Sequence, residues 1–590
     1  MITWVSANLA PLMFVALALM LLSGVPVVFG LSACGLGVAL LGIHLDLMPA
    51  ALLTALPLRI FGIMASELLA AIPFFTLMGL VLDKSGMAED LLETVGEVFG
   101  PLRGGLALAA VLVGALLAAT TGVVAASVIS MGIISLPVML RHGYHPRIAA
   151  GVIAASGSLT QIVPPSLSLI VLADQLGRGV GEMYSAALLP AAVVISSYAL
   201  FVLLLGWIKP QWLPSMPRAG DAATTDAATT DAATAAANSG YRSLAWLAVG
   251  CATASWILMQ VYPQFVRFIG RTIAPPPPDE LVIVGLGVAI ALGFAIACLD
   301  RWLRLGWLAP IAHRVAFVLI PPLILIFLVL GTIYLGIATP TEGGAMGAVG
   351  ALLFATLRRR LTMEGLASAL LQTTKLSCFV MFILIGSTIF SHSFNAVGGG
   401  PWVERLFAQL PGGSTGFLLL VTALIFLLGF FLDAFEIAFI LMPLLGPVAT
   451  KLGIDLVWFG VLVGINLQTS FLTPPFGYAL FFLRNVAPRE AHFDASSGRT
   501  LPGISTADIY IGTMPFVLIQ ALVMVAVIAW PSLIRLDIGK VPKLDDATVD
   551  AILWRTQNDG AQQAPVPAKA DPVQLLLEHL RNAASGTTNK

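Results

Sequence analysis

Two double prolines stand inside long apolar runs, Val163-Pro164-Pro165-Ser166 and Thr473-Pro474-Pro475-Phe476. Proline offers no N–H and clashes with the preceding turn, so each pair interrupts a helix and strips donors from carbonyls upstream. Carbonyl oxygens freed in this way suit a hard cation such as Na⁺, and N–H groups freed at a helix start suit an anion. Polar residues gather ahead of both breaks: Ser156-Gly157-Ser158-Leu159-Thr160-Gln161 before the first, Gly464-Ile465-Asn466-Leu467-Gln468-Thr469-Ser470 before the second, with Gly477 just beyond. In hydrocarbon such groups are costly unless they line a cavity or meet other protein. Packing of small hydroxyl residues between helices is the bland alternative, and here the weaker one.

Three further clusters carry possible chemistry. In Ala119-Thr120-Thr121-Gly122 two hydroxyls and a glycine suggest an unwound point with oxygen ligands. Taken alone, the motif is better explained by threonines bonding back to their own helix. Asp433 and Glu436, three residues apart in an apolar run, are expensive in lipid and functional by default; the alternative is a carboxylate at a water-filled helix end. Thr339-Pro340-Thr341-Glu342 is explained locally by helix capping. Glu67 and Lys375 are isolated charges that pair or snorkel. His392 and the other histidines lack ligand spacing, and Cys34, Cys251, Cys298 and Cys378 lack CxxC spacing and behave as small apolar residues. No GxxxxGK[ST], HExxH or catalytic GxSxG pattern occurs, which argues against an ATP site of that type and against an enzyme.

These residues need helices in a bilayer to position them. Of 590 residues 58% are hydrophobic and 10% charged, and mean hydropathy is +0.95. A soluble surface needs about 25% charge. Apolar runs long enough to cross as helices fall near 9–24, 27–44, 62–82, 105–137, 148–172, 184–207, 243–262, 280–299, 315–336, 343–357, 366–390, 413–450, 456–482 and 507–530. Alternating ten-residue strands are missing, so the fold class expected is an all-α polytopic membrane protein. The net charge of −1 gives no sign of nucleic-acid binding. Met1–Asn8 carries no Lys or Arg, which favours a retained first span over a cleaved signal peptide.

Pro137, Gly143 and the pair Pro164-Pro165 recur 310 residues on as Pro447, Gly453 and Pro474-Pro475. Several features in one register indicate a duplication. If the halves are inverted, one break approaches from each side of the membrane, a plan common in secondary transporters. Loops 141–147, 208–242, 300–314 and 358–363 hold eleven Lys or Arg, against three in the intervening loops, which places the first set in the cytoplasm. If 105–137 and 413–450 each cross twice, both termini are periplasmic. The expected divisions are 1–215, the first half with scaffold helices; 216–313, an insertion with two extra spans; 314–535, the second half; and 536–590, a polar tail. Asp221–Asn238, an Ala/Thr/Asp tract, is expected to be a disordered linker.

Ala71-Ile72-Pro73-Phe74-Phe75, Gly104-Gly105-Leu106-Ala107, Ile162–Ser166, Ala338–Glu342, Leu432-Asp433 and Thr473-Pro474-Pro475 resemble the large membrane subunit, DctM-like, of the tripartite ATP-independent periplasmic (TRAP) transporters. The match covers most of 1–215 and 314–535, and the Thr-Thr-Gly form resembles the branch labelled mannitol/chloroaromatic compound or 2-oxo acid transport. The resemblance implies an inverted repeat with re-entrant hairpins, working as an elevator in the inner membrane. It implies import of an organic acid anion, with sodium as coupling ion and no other cofactor. Implied partners are a small four-helix DctQ-like membrane subunit, a periplasmic solute-binding protein and membrane lipid. Carried onto this chain, substrate and ions would meet Thr120, Thr121, Gly122, Ser156, Gly157, Thr160, Pro164, Pro165, Ser166, Thr339, Thr341, Glu342, Asp433, Asn466, Thr469, Thr473, Pro474, Pro475 and Gly477. Na⁺ would lie near Thr121, Gly122 and Pro164, and near Asp433 and Thr473. Thr121-Gly122-Val123 stands where the family usually has Ser-Gly-Ser, so backbone ligands survive and a hydroxyl at position 123 does not. The insertion 216–313 is unusual for the family. The rival functions are a stand-alone sodium- or proton-coupled di/tricarboxylate carrier and a membrane assembly scaffold.

Overall fold

A computed structural model describes residues 8–215, 227–268, 278–494 and 498–531. Apart from a two-stranded ribbon, His492–Asp494 with Arg499–Leu501, the regular elements among these residues are helices. Nine helices, or ten if one bent pair counts as a span, are long and apolar enough to cross a membrane among the described residues. The chain is therefore an all-α polytopic membrane protein.

The first half opens with α1 (Leu9–Leu22), α2 (Val27–His44) and the short α3 (Ala51–Thr54) and α4 (Leu56–Met64). A bent pair follows, α5 (Ala71–Lys84) and α6 (Met87–Phe99), turned by 62°. The run 62–82 was expected to be one span, but it divides between α4 and α5 at the polar Ser66-Glu67. Pro73 then sits in the first turn of α5, where a missing N–H costs nothing. Next come α7 (Gly105–Thr121), α8 (Val124–Arg141), α9 (Pro146–Ser158), a 3-10 turn (Leu159–Gln161), α10 (Leu167–Gln175) and α11 (Val180–Ile208).

The segment expected as an insertion supplies α12 (Ala227–Phe268) and α13 (Pro278–Leu303), which pack on each other and on α14 (Pro310–Tyr334). Residues 221–226 of the Ala/Thr/Asp tract lie outside the described residues. Residues 227–238, expected to be disordered, are helical, because alanine has the highest helix propensity and extends the span that follows. The second half runs on through α15 (Pro340–Leu357), α16 (Met363–Ala396), α17 (Gly399–Ala408), α18 (Gly413–Leu428), α19 (Ala434–Lys451), α20 (Leu456–Leu472), α21 (Tyr478–Val486) and α22 (Thr506–Ala529). The polar tail 536–590 lies outside the described residues.

The 310-residue register survives as geometry. α8 (Val124–Arg141) matches α19 (Ala434–Lys451) residue for residue, and the next helices start in the same register, α9 at Pro146 and α20 at Leu456. Gly143 and Gly453 both turn the chain in the left-handed region, at φ +78° and +71°. His145 and Asp455, also 310 apart, both cap the following helix through side-chain acceptors. The halves are interleaved as well. α5 of the first half packs along α15 of the second, and α16 of the second along α2 of the first. Likewise α21 packs on α8, and α10 on α19.

The closest crossing joins α9 to α22. A Cβ on Gly151 would run into the carbonyl oxygen of Gly512, and one on Gly512 into that of Arg147. Alanine at either position forces the two helices apart. Gly151→Ala is expected to cost about 1–3 kcal/mol, the usual range for overpacking, and to lower the thermal midpoint of the purified protein by several degrees. Adding Gly512→Ala should be less than additive, because both act on one crossing. An unchanged midpoint in either single variant would contradict this.

Candidate functional site

Each proline break is met by the tip of a helical hairpin. α7 ends at Thr121, Gly122 takes the left-handed conformation at φ +63°, Val123 is extended, and α8 begins at once. The long run 105–137 is thus two helices. Thr120 and Thr121 both donate from Oγ1 to the carbonyl of Leu117, each at 3.0 Å, so the back-bonding alternative holds. Thr121 Oγ1 also lies 2.6 Å from Ser127 Oγ. The tip is tightly fitted. A Cβ on Gly122 would lie 2.8 Å from Leu167 Cγ, the first residue of α10, and one on Gly79 of α5 would strike the Thr120 carbonyl.

Behind this tip the run 148–172, expected as one span, is broken between Gln161 and Leu167. Prolines 164 and 165 cannot donate to the carbonyls of Thr160 and Gln161, and the peptide between them is cis. Side chains replace part of what is missing. Ser166 Oγ donates to Gln161 O at 3.1 Å, and Ser168 Oγ to Gln161 Oε1 at 2.5 Å. Ser156, Ser158 and Thr160 bond back to their own helix, and with Gly157 all are buried. A Cβ on Gly157 would collide with Val128 of α8; this glycine lets break and hairpin approach.

The second half repeats the plan with different chemistry. Gly429 to Asp433 form the tip between α18 and α19. Asp433 Oδ1 accepts from Glu436 N at 2.8 Å, and Glu436 Oε2 accepts from Asp433 N at 2.9 Å. The two acids therefore form a reciprocal cap on α19. α20 is tied to α18 by Asn466 Nδ2, donating to Thr422 O at 2.8 Å, and by Ser470 Oγ, donating to Phe426 O at 2.7 Å. Asn466 Oδ1 is buried without a partner. Thr469 and Thr473 bond back along α20, and Phe431 of the tip packs 5.7 Å from Phe476 beside Pro474-Pro475, also cis. Gly477 N donates to Thr473 O at 3.0 Å; a Cβ at Gly477 would lie 2.6 Å from Phe471 O.

The structure thus joins Thr120–Gly122 to the first break and the tip that ends at Asp433 to the second, with Gly477 beside it, whereas Asn466 and Thr469 lie one to two turns earlier on α20. Thr339, Thr341 and Glu342 are placed otherwise. Thr339 and Glu342 cap α15 reciprocally, and Thr341 Oγ1 donates to Glu67 O at 2.5 Å, so this turn is tied to the loop before α5. Two residues escaped notice in the sequence. Tyr510 Oη donates to Pro475 O at 2.9 Å, and Tyr184 Oη to Ser166 O at 3.4 Å. Each lies in the first turns of the long helix after its break, which was the available signal. Lys375, taken as isolated, shares with Glu436, Phe431 and Phe382 the lining of a cavity of about 800 Å³ beside the second tip. Among the described residues no cluster of three His, Cys, Asp or Glu could hold a metal.

The cap at Asp433 separates two roles. Asp433→Ala is expected to cost about 1 kcal/mol of stability, as lost N-caps do. Asp433→Ser keeps a cap and should recover most of that loss in a thermal melt. Serine behaving as badly as alanine would show that the carboxylate does more than cap.

Set against known proteins, residues 14–533 match the family model described as "Tripartite ATP-independent periplasmic transporter, DctM component". The C4-dicarboxylate TRAP transporter large permease protein DctM of Pseudomonas aeruginosa is 26% identical over 428 residues, 72% of this chain and 79% of that protein. The isethionate TRAP transporter permease protein DctMQ of Oleidesulfovibrio alaskensis is 24% identical over 478 residues, 81% of this chain and 60% of that protein. Among solved structures, the Alcanivorax borkumensis YdaH transporter aligns at 15% identity and TM-score 0.48, over 82% of this chain and 88% of that one.

Proposed function

From a chain that belongs to the DctM component family of the tripartite ATP-independent periplasmic transporters, we propose an importer of a small organic acid anion driven by the sodium gradient. The protein is a multi-pass inner-membrane transport subunit of a bacterium, and not an enzyme. In the proposal a periplasmic binding protein delivers the anion, and a small four-helix subunit completes the membrane complex. The relative named DctMQ is in keeping with that second partner, and the C4-dicarboxylate and isethionate relatives with an anionic cargo.

One observation carries the proposal: two hairpin tips abut two proline breaks in the same 310-residue register, each beside oxygens that the broken helix no longer satisfies. On α20, about two turns before the second break, the unpartnered Oδ1 of Asn466 is a neutral acceptor in a buried place, and such oxygens fit Na⁺. Asn466 and Thr469, one turn apart on α20, would hold the ion there. The backbone at Thr121, Gly122 and Pro164 would do so in the first half. The carboxylate of the cargo would meet N–H groups at the helix starts beside the breaks.

The interleaved hairpins and breaks suit one moving body, α7–α11 with α18–α22, sliding against α1, α2, α14 and α15, which is the elevator reading. Orientation follows the basic loops. Arg358 and Arg360 pair with Asp90, and Arg314 with Glu97. Arg141 and His142 line the same crevice as Glu97, and His145 N donates to Trp212 O at 3.1 Å. This gathering supports one cytoplasmic face for those loops and, with two crossings in each hairpin run, periplasmic termini.

Uptake into proteoliposomes containing both subunits and the binding protein tests the proposal. Transport should need an inward sodium gradient, and Asn466→Ala should raise half-activating sodium about tenfold, the cost of about 1.4 kcal/mol of ligand energy. Uptake that persists without a sodium or proton gradient and without the binding protein would rule it out.

A further inference from the structure

The cavity of about 800 Å³ beside the second tip is walled by the turn between α1 and α2, by α16, and by the tip between α18 and α19. Its lining is mostly apolar and includes the phenylalanines at 29, 379, 382 and 431. All of these rings are exposed instead of packed into the core. Of the lining residues, Lys375 and Glu436 alone carry charge. Glu436 Oε2 is already engaged, accepting from Asp433 N at 2.9 Å. Lys375 stands well inside α16 (Met363–Ala396) at the level of the tip, and it has no ion pair or hydrogen bond among the described residues. A cation inside a span is costly and functional by default, and this one lacks an anion.

We propose that this cavity receives the body of the cargo while Lys375 pairs with its carboxylate, so that the transported class is a monocarboxylate on a bulky apolar or aromatic frame. The inference rests on the anion importer proposed above and adds a cation to the N–H groups named there. The lining selects the class by what it lacks. A second carboxylate would find no second cation and would face Glu436, a like charge where charges need pairing. A polyhydroxylated acid would set its hydroxyls against phenylalanine, and unmet hydroxyls are costly in such surroundings. A lipid tail would cover the rings but leave the Lys375 ammonium without a partner.

An aromatic acid meets both demands at once. Its ring packs edge-on or face-on against phenylalanine, and one carboxylate meets one ammonium. The volume suits a guest of this kind, since pockets of such size enclose organic molecules with an extended frame. Phe29 belongs to α2 and Phe431 to the hairpin tip, so a guest held here touches both bodies of the elevator reading.

Cys378 lines the same cavity and is exposed, which makes it a reporter. In the full chain carrying Cys34→Ala, Cys251→Ala and Cys298→Ala, its alkylation by N-ethylmaleimide is followed by intact mass, with sodium present and no gradient. Phenylbutyrate at millimolar concentration should slow the reaction about tenfold, whereas phenylbutanol and succinate should change it by less than about twofold. Lys375→Met should abolish the protection and Lys375→Arg should keep it, with alkylation of the empty protein unchanged in both. Equal protection by phenylbutanol would mark a slot for lipid and overturn the proposal. Equal protection by succinate would overturn the class, and no protection by phenylbutyrate would overturn the site. If Lys375→Met fails to fold, the comparison of the acid with its alcohol, made with Lys375 in place, decides alone. Alkylation needs neither a gradient nor a binding protein, so loss of protection and loss of sodium-driven uptake are read separately.

Discussion

Every N–H and C=O inside a bilayer must find its partner within the protein. A continuous helix meets that demand by itself, and the two proline pairs break it at matching points in the chain. Much of the surrounding structure answers the resulting deficit. Ser166 and Ser168 turn back to Gln161, Tyr184 and Tyr510 reach from the later long helices α11 and α22 to carbonyls at the breaks, and a hairpin tip closes over each. Glycines at 122 and 157 sit where a single extra carbon would hold tip and break apart, and Gly79 where one would push α5 off the tip. Further up α20, Asn466 Oδ1 is buried without a partner.

The two halves meet the same constraint with unlike chemistry. The first tip is neutral: threonine hydroxyls fold back on α7, and Gly122 turns the chain in one residue. The second is longer and acidic, and Asp433 with Glu436 caps α19. Capping explains why two carboxylates lie three residues apart without assigning either to a ligand. Thr339 and Glu342 form the same reciprocal cap at α15, so spacing of this kind is a helix-start signal wherever it falls.

Residue type and spacing made the membrane class, the duplication and the breaks legible, because proline and hydropathy act locally. The register of 310 needed only Pro137, Gly143 and Pro164-Pro165 to be visible. What stayed hidden depends on partners distant in sequence. The run 62–82 looked continuous because Ser66 and Glu67 are brief, and no local pattern tells that α5 will lie along α15. Tyr510 was illegible as a partner of Pro475, since a tyrosine near a helix start is ordinary until the fold brings a carbonyl to it. The tract at 227–238 misled in the opposite direction: its composition suggested disorder, whereas alanine's propensity carries α12 through it.

The exchange of faces between halves has a consequence for assembly. α21 covers α8 and α10 covers α19, while α5 and α16 each pair with a helix of the opposite half. Neither half buries these surfaces alone. A chain of either half by itself would leave these faces to lipid or to a second copy, and each tip, the neutral one and the acidic one, is backed by a hairpin that rests on a helix of the other half.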